Sequence, residues 1–487
     1  MTDHNKTNCL STRFKNVNEK FLQMEEDLNL FDKKIDGVYF WERINIKVCQ
    51  EIFESLGIFG QSHSMVERTL FNKILFSLRS LHAFLFKNPF FSKSSKIVFF
   101  VRSRRKLFED GKWWDIYCDP IINYLPKSDY IFLEHPYMFK HFRPSKTENL
   151  KYLDILLFIA ALRRELGLIK IKFNEEELNF LKLVERKIKE IFNINIELKE
   201  IVHQNLQERK SEFDIYESLF KKLNPRIVLL GQSYGWETII EICKKLNIPT
   251  VELQHGIIDK YNFGYSFPGI KRKKRTFPDY FFAFGDFWKN CVEFPIRKEH
   301  IFSVGYPYLE EEKARYCNIK KRNRILFISG GGIGKEVSKF AVELSKYKNL
   351  DYDIIYKLHP GEYHRWKREY PWLDKANKEN SIKVVENDNP PFYKLMAESK
   401  IQIGVNSTAI YEGLNFGLDT YLLDLPGIEY MDHLIERGNA TVIYSVKEFV
   451  GYLALPRKNN GKKVNIDYFF KPDALENIIH KINELSL

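Results

Sequence analysis

From residue 97 onward the chain alternates short, continuously apolar runs with longer stretches of helical periodicity. The runs are Ile97–Val101, Tyr130–Leu133, Ile227–Leu230, Thr250–Leu253 and Tyr280–Phe284, then Ile325–Ile328, Ile354–Leu358, Ile382–Val385, Ile401–Val405 and Thr420–Leu423. Strands that are apolar at successive positions are covered on both faces, which predicts parallel sheets with helices on either side. A long helical region is expected over about 147–222 and a last helix over about 473–486. Residues 1–95 read mostly as helix, broken by an aromatic turn over Asp36–Trp41. Within them, Val66–Phe86 sets Leu70, Ile74, Leu75, Leu78, Leu81, Phe84 and Leu85 on one face, with Arg68, Lys73, Arg79 and Lys87 on or beside the other. That pattern fits either a surface helix packed on the core or an interfacial helix resting on anionic lipid.

The charged stretch from Glu310 to Arg324 marks a boundary between two α/β series. The expected division is a helical N-terminal extension (1–95), a Rossmann-like domain on the acceptor side (96–312), a second Rossmann-like domain on the nucleotide side (313–470) and a C-terminal helix (471–487). Two doubly wound parallel-sheet domains facing a cleft are the predicted architecture. Such sheets bind ligands beyond the carboxyl ends of their strands, so the informative residues stand just after each apolar run.

Composition narrows the chemistry. With 487 residues, 44% hydrophobic and 29% charged, the chain can bury large cores and is not of the disordered class. Lys and Arg exceed Asp and Glu by 12, an excess that suits an anionic partner such as a nucleotide, an acidic glycan or an anionic membrane. Nucleic acid is not expected, because the basic residues are scattered and no zinc-finger or RNP-type pattern occurs. The cysteines, Cys9, Cys49, Cys118, Cys243, Cys291 and Cys317, show no CxxC spacing. This argues against a cysteine zinc site or a disulfide scaffold, and no metal site is expected. Met1–Lys20 lacks the apolar stretch of a signal peptide. The longest near-uncharged apolar run, Tyr152–Leu162, is about half of the ~20 residues a membrane span requires. The expected location is the cytoplasm, with at most peripheral contact at the inner face of the cell membrane.

Five strand-end strings carry candidate chemistry. In Gln254-His255-Gly256 an imidazole follows a strand, where it serves either as a base for an attacking hydroxyl or as a hydrogen-bonded loop residue. Lys357-Leu358-His359-Pro360-Gly361-Glu362 turns the chain at Pro360, offering His359 and Lys357 to phosphate or base and Glu362 to hydroxyls. In Gly404–Gly413, Ser407 or Thr408 caps a helix whose first amides suit phosphate, and Glu412 lies a turn further on, toward ribose hydroxyls. Gly331 and Gly332, in Ser329–Lys335, permit close approach of a diphosphate or simply make a flexible turn; the string is neither a Walker A loop nor GxGxxG. Gln232, Ser233 and Tyr234 follow another strand and are acceptor-side candidates. The basic run Lys271–Arg275 reads as a solvated loop or as a surface that captures an anionic acceptor or membrane.

Taken in order, the QHG, KLHP and NST-x-x-x-E strings resemble those of bacterial and archaeal surface-polysaccharide glycosyltransferases of the GT-B fold. They are similar to capsule-polysaccharide transferases, CDP-glycerol glycerophosphotransferases and bacterial sialyl- and polysialyltransferases. The resemblance covers about residues 225–445. It implies that His359, Ser407 and Thr408 bind the donor nucleotide and phosphate, and, from the glycerophosphotransferases, that His255 is the base. The sialyltransferases' acidic-Gly string has no counterpart here; Glu252 and Asp259 are the carboxylates nearest His255 in sequence. The implied activity is inverting, metal-independent transfer of a sugar from a nucleotide-activated donor to a surface polysaccharide or lipid-linked glycan. A CDP-polyol phosphotransferase and a non-catalytic nucleotide-sugar-binding protein are its alternatives. No cofactor is expected beyond the donor itself, linked to CMP, CDP or UDP.

Overall fold

A computed structural model describes residues 4–59, 83–102, 105–108, 110–137, 140–269, 271–347, 350–454 and 464–486, with the side chains of residues 4–12, Arg102 and Arg105 excluded. Most of the amphipathic segment Val66–Phe86 and the basic linker with Lys458, Lys462 and Lys463 lie outside the described residues. No helix among the described residues is long and apolar enough to cross a membrane.

By its packing the chain divides into two units. The first comprises the described residues of Phe21–Glu51, Val66–Tyr308 and Phe470–Leu487; the second those of Met1–Lys20, Ile52–Met65 and Leu309–Phe469. Residues 1–95, expected as an extension, are thus apportioned between the units, as are helices α1 (His4–Asp27) and α2 (Trp41–Ser55).

The first unit is built on strands β1 (Ile97–Arg102), β2 (Tyr130–His135), β3 (Leu150–Tyr152), β4 (Ile227–Leu230), β5 (Thr250–Leu253), β6 (Tyr280–Ala283) and β7 (Ile301–Ser303). All pair in parallel, in the order β7-β6-β5-β4-β1-β2-β3. Alternation along each strand serves two cores. Val98, Phe100, Ile131, Leu133, Val228 and Leu230 pack under helices α3 (Asp154–Glu165), α5 (Leu198–Leu223) and α6 (Glu237–Lys245). Phe99, Val101, Phe132, Leu229 and Val251 pack on the opposite face, where the final helix, Ala474–Leu485, inserts Ile478 and Ile482. This double burial explains the uniformly apolar runs. The region expected as helical over about 147–222 is so for most of its length, as three helices, α4 being Glu175–Phe192, but it opens with β3.

The second unit carries β8 (Arg324–Ile328), β9 (Asp353–Lys357), β10 (Lys383–Val385), β11 (Ile401–Gly404), β12 (Asp419–Leu423) and β13 (Thr441–Ile443). These too are parallel, ordered β10-β9-β8-β11-β12-β13. Both units are therefore doubly wound, Rossmann-like sheets. Each reverses its strand order once, between β1 and β4 and between β8 and β11, and such a reversal opens a crevice at the strand ends.

The N-terminal residues brace both units. In the second, the Phe14 ring stacks on Phe53 at 5.3 Å and meets Tyr430 edge-on at 5.6 Å. In the first, the expected aromatic turn is a hairpin, Lys34–Ile35 against Val38–Tyr39, turned by Asp36 (φ 49°) and Gly37 (φ 76°). Two left-handed residues match the turn to the strands' twist.

The basic run Lys271–Arg275 is not a solvated loop. Arg272 is 3% exposed and pairs at 3.0 Å with Glu25 of α1; Lys274 is 4% exposed and pairs at 3.1 Å with Glu237. Arg275 pairs at 2.7 Å with Asp32 and lies 3.5 Å over the Tyr39 ring. Its alternate cations are spent inside the unit because burying them required carboxylate partners; Lys271 and Lys273 remain exposed.

Candidate active site

In the first unit the pairing of β4 with β5 places two loops side by side. After β4, Gly231 lies flat against β1, where an added Cβ would stand 3.3 Å from Val101 Cγ1. Gln232 then donates from Nε2 to the Tyr234 carbonyl at 3.0 Å, fixing the turn, and Gly235 takes φ 82° to complete it. Ser233 is fully buried. After β5, Gln254 accepts from Phe284 N–H at 2.7 Å and donates to the Gly256 carbonyl at 2.9 Å. Gln232 and Gln254 thus brace the loops, while Tyr234 and His255 are brought together: the Tyr234 hydroxyl lies 3.0 Å from His255 Nε2.

The other face of the imidazole meets a carboxylate. Nδ1 lies 3.5 Å from Glu252 Oε1 and 3.4 Å from the Tyr265 hydroxyl, which itself donates to Glu252. Glu252 is wholly buried, and its Oε2 has no hydrogen-bond partner among the described residues. A carboxylate beside Nδ1 keeps the proton on that nitrogen, leaving the Nε2 lone pair for the Tyr234 hydroxyl. The His255 carbonyl accepts from Tyr117 at 2.7 Å, and Tyr117 stacks on Tyr306. Glu252 carries a sequence signal: it is the one charged residue in the apolar run Thr250–Leu253.

In the second unit the loops after β8 and β9 are tied to each other. Glu362, 0% exposed, is the knot. It accepts from the His359 N–H at 2.8 Å, Ser329 Oγ at 3.0 Å and the Tyr370 hydroxyl at 2.8 Å. Burial pushes its pKa above the usual carboxylate value, and the three donors offset part of that rise. Gly334, at the start of helix α7 (Gly334–Leu344), must lack a side chain, because a Cβ would collide with that carboxylate. Glu362 is thus committed to the protein rather than to ligand hydroxyls. Arg365 reinforces the tie, donating to the Gly331 carbonyl at 2.7 Å and the Gly361 carbonyl at 3.1 Å. Gly331 and Gly332 form the apex of the turn after β8 and are half-exposed.

His359 stays exposed before Pro360. Its Nδ1 accepts from the Gly361 N–H at 3.1 Å, so Nε2 carries the proton of the neutral ring and is its donor. Lys357 is instead drawn inward, donating to the Leu358 carbonyl at 3.1 Å and the Tyr363 hydroxyl at 2.5 Å. After β11, Ser407 caps helix α8 (Thr408–Asn415) by accepting from Ala409 N–H at 3.2 Å. Thr408 opens that helix, at the positive end of its dipole. Glu412 is buried and accepts from the Tyr393 hydroxyl at 2.9 Å.

Three residues that join this cradle do not announce themselves in the sequence: Arg365, Asn406 and Glu429. Asn406 lies 3.8 Å from the position a Cβ of Gly330 would take, and its amide fills the space that a side chain at Gly427 (φ 94°) would need. Gly427 N–H donates to Glu429 at 2.9 Å, and burial raises the Glu429 pKa to about 7. Arg365 stands four residues after Gly361 and Glu429 two after Gly427, but nothing in their spacing marks them.

No family model and no curated protein matches the chain. Among solved structures, UDP-GlcNAc 2-epimerase from Methanocaldococcus jannaschii is similar at 16% identity, over 80% of this chain and 99% of that one, with a TM-score of 0.46. UDP-GlcNAc 2-epimerase from Neisseria meningitidis, solved with UDP-GlcNAc, gives 16%, 80%, 100% and 0.46 for the same measures. MurG from Acinetobacter baumannii gives 12%, 80%, 99% and 0.44. Identities of this size leave the reaction to be read from the side chains.

Proposed function

We propose that this chain is a GT-B glycosyltransferase that moves a sugar, with inversion, from a nucleotide-activated donor to a surface-polysaccharide or lipid-linked glycan acceptor. The first unit supplies the proton acceptor. An acceptor hydroxyl attacks the anomeric carbon, its proton passes to the His255 imidazole, and the anomeric C–O bond breaks with its electron pair going to the departing phosphate. Glu252 beside Nδ1 stabilises the imidazolium so formed. The second unit holds the donor: His359 Nε2–H and the start of α8 at Ser407 and Thr408 meet the phosphate charge, and the glycine turn admits it closely. This electrostatic provision suits a reaction without a metal.

The observation that carries the reading is the buried Glu252 beside an imidazole at the carboxyl end of β5, an arrangement suited to proton transfer. The acceptor class is drawn from the resemblance of the strand-end strings. Thermal-shift measurement with CMP, CDP, UDP and GDP, followed by turnover of the matching activated sugars, tests the proposal. One nucleotide is expected to raise the melting temperature, by an amount that grows with its concentration over Kd, and its sugar to be transferred to a glycan acceptor. Transfer of a polyol phosphate from a CDP-linked donor would replace the reading with a phosphotransferase. Interconversion of a free UDP-sugar without acceptor would replace it with an epimerase. No shift with any nucleotide would overturn it.

A further inference from the structure

Resting on the reading of His255 as the proton's destination, we propose that the group meeting the acceptor hydroxyl is Tyr234, which relays the proton to His255 rather than leaving the imidazole to take it directly. The His255 side chain is 6% exposed, and Tyr234, a half-buried residue, stands against it. The ring nitrogen that would act as base, Nε2, is the one already engaged by the Tyr234 hydroxyl at 3.0 Å.

Tyr234 is also held as a working side chain is held. Its main chain is pinned by the Gln232 amide at 3.0 Å and turned by Gly235 at φ 82°. Its ring rests on Gly264, where an added Cβ would come within 3.2 Å of Tyr234 Cδ1 and 3.2 Å of Asn262 Oδ1. Asn262 holds that glycine in place, accepting from the Gly264 N–H at 3.0 Å. A residue at the end of such a brace keeps its hydroxyl within the narrow geometry that proton transfer demands.

The relay balances. As the acceptor oxygen bonds to the anomeric carbon, its proton moves to the Tyr234 oxygen. The tyrosine's own proton moves to His255 Nε2, and the imidazolium is met by Glu252 at Nδ1 with Tyr265 alongside. The anomeric C–O bond breaks, and its electron pair leaves on the phosphate. Tyr234 ends as it began, a neutral phenol, so no phenolate has to persist.

The test compares Tyr234→Phe and His255→Ala using the donor and acceptor established for the wild type. For Tyr234→Phe the relay predicts transfer lowered about 100-fold or more, the scale of a lost acid–base step. Donor KM should be unchanged and the melting temperature within a few degrees of wild type. Wild-type transfer should level off once His255 is neutral, whereas the residual Tyr234→Phe rate should keep climbing with hydroxide. Tyr234→Phe within about five-fold of wild type beside an inactive His255→Ala overturns the relay and leaves His255 as the direct base. A low Tyr234→Phe rate that still levels off with pH also overturns it, because the ring would then only position its neighbours. If both variants transfer normally, the His255 reading itself fails, and the relay with it.

Discussion

Glu362→Ala would untie the loops of the second unit. The substitution removes the acceptor of three hydrogen bonds, from the His359 N–H, Ser329 Oγ and the Tyr370 hydroxyl. Ser329 is 5% exposed and Tyr370 3% exposed, so neither hydroxyl gains full access to water. Leaving a buried donor unmade costs roughly 1–3 kcal/mol each, and Ser329 also keeps its bond from Tyr356 at 3.0 Å, so the net loss is set at about 4 kcal/mol. For a unit of this size that corresponds to a fall of roughly 8–16 °C in the melting temperature of its transition. Glu362→Gln keeps one carbonyl oxygen for the two hydroxyls but turns an N–H toward His359, and should lose about half as much. Amide exchange followed by mass spectrometry reads the effect locally. Protection should fall across Ser329–Gly334 and His359–Arg365 before the rest of the unit opens, and nucleotide affinity should fall with it. A loss under about 1 kcal/mol in Glu362→Ala, with those two segments still protected, would refute the idea that this carboxyl holds the cradle together.

Arg272→Ala leaves Glu25 buried without its guanidinium. It should cost the first unit about 3–5 kcal/mol, while Arg272→Met, with similar volume, is expected to hurt less only when Glu25 is also replaced; denaturant midpoints at constant m decide this. Glu429, whose pKa is raised to about 7, favours folding when protonated, so its contribution is full below about pH 4.5 and is lost as pH rises to 7, a change of about 3 kcal/mol. Burial lowers His433 to about 4, which acts in the opposite sense and adds stability as pH rises from 4 toward 6.5. Between pH 4.5 and 7 Glu429→Gln should therefore lose less stability than the wild type as pH rises; parallel profiles for the two proteins would contradict the assignment.

The sequence made the central strands legible because a parallel strand covered on both faces is apolar at every position. Ile227–Leu230 and Thr250–Leu253 coincide with their observed bounds. Within the two parallel sheets, β3, β7 and β13 escaped notice; each has three residues and lies at a sheet edge, too short to make a run that can be read. The five strand-end strings do follow strands, and His255 with Tyr234 is a pairing their positions made foreseeable. What the strings hid is partnership across distance. Arg272 meets Glu25 from 247 positions away, and a run of five cations gives no hint that alternate members are consumed internally. Lys357, Glu362 and Glu412 looked like ligand contacts because their polarity was visible, while the buried tyrosines and loop amides that engage them were not.

The most direct test of the account is single-turnover transfer by His255→Ala, with donor binding measured on the same protein. The account predicts that donor affinity holds while transfer falls by about 10²–10⁴, the contribution of a positioned base. Transfer within a few-fold of wild type at saturating donor would contradict it.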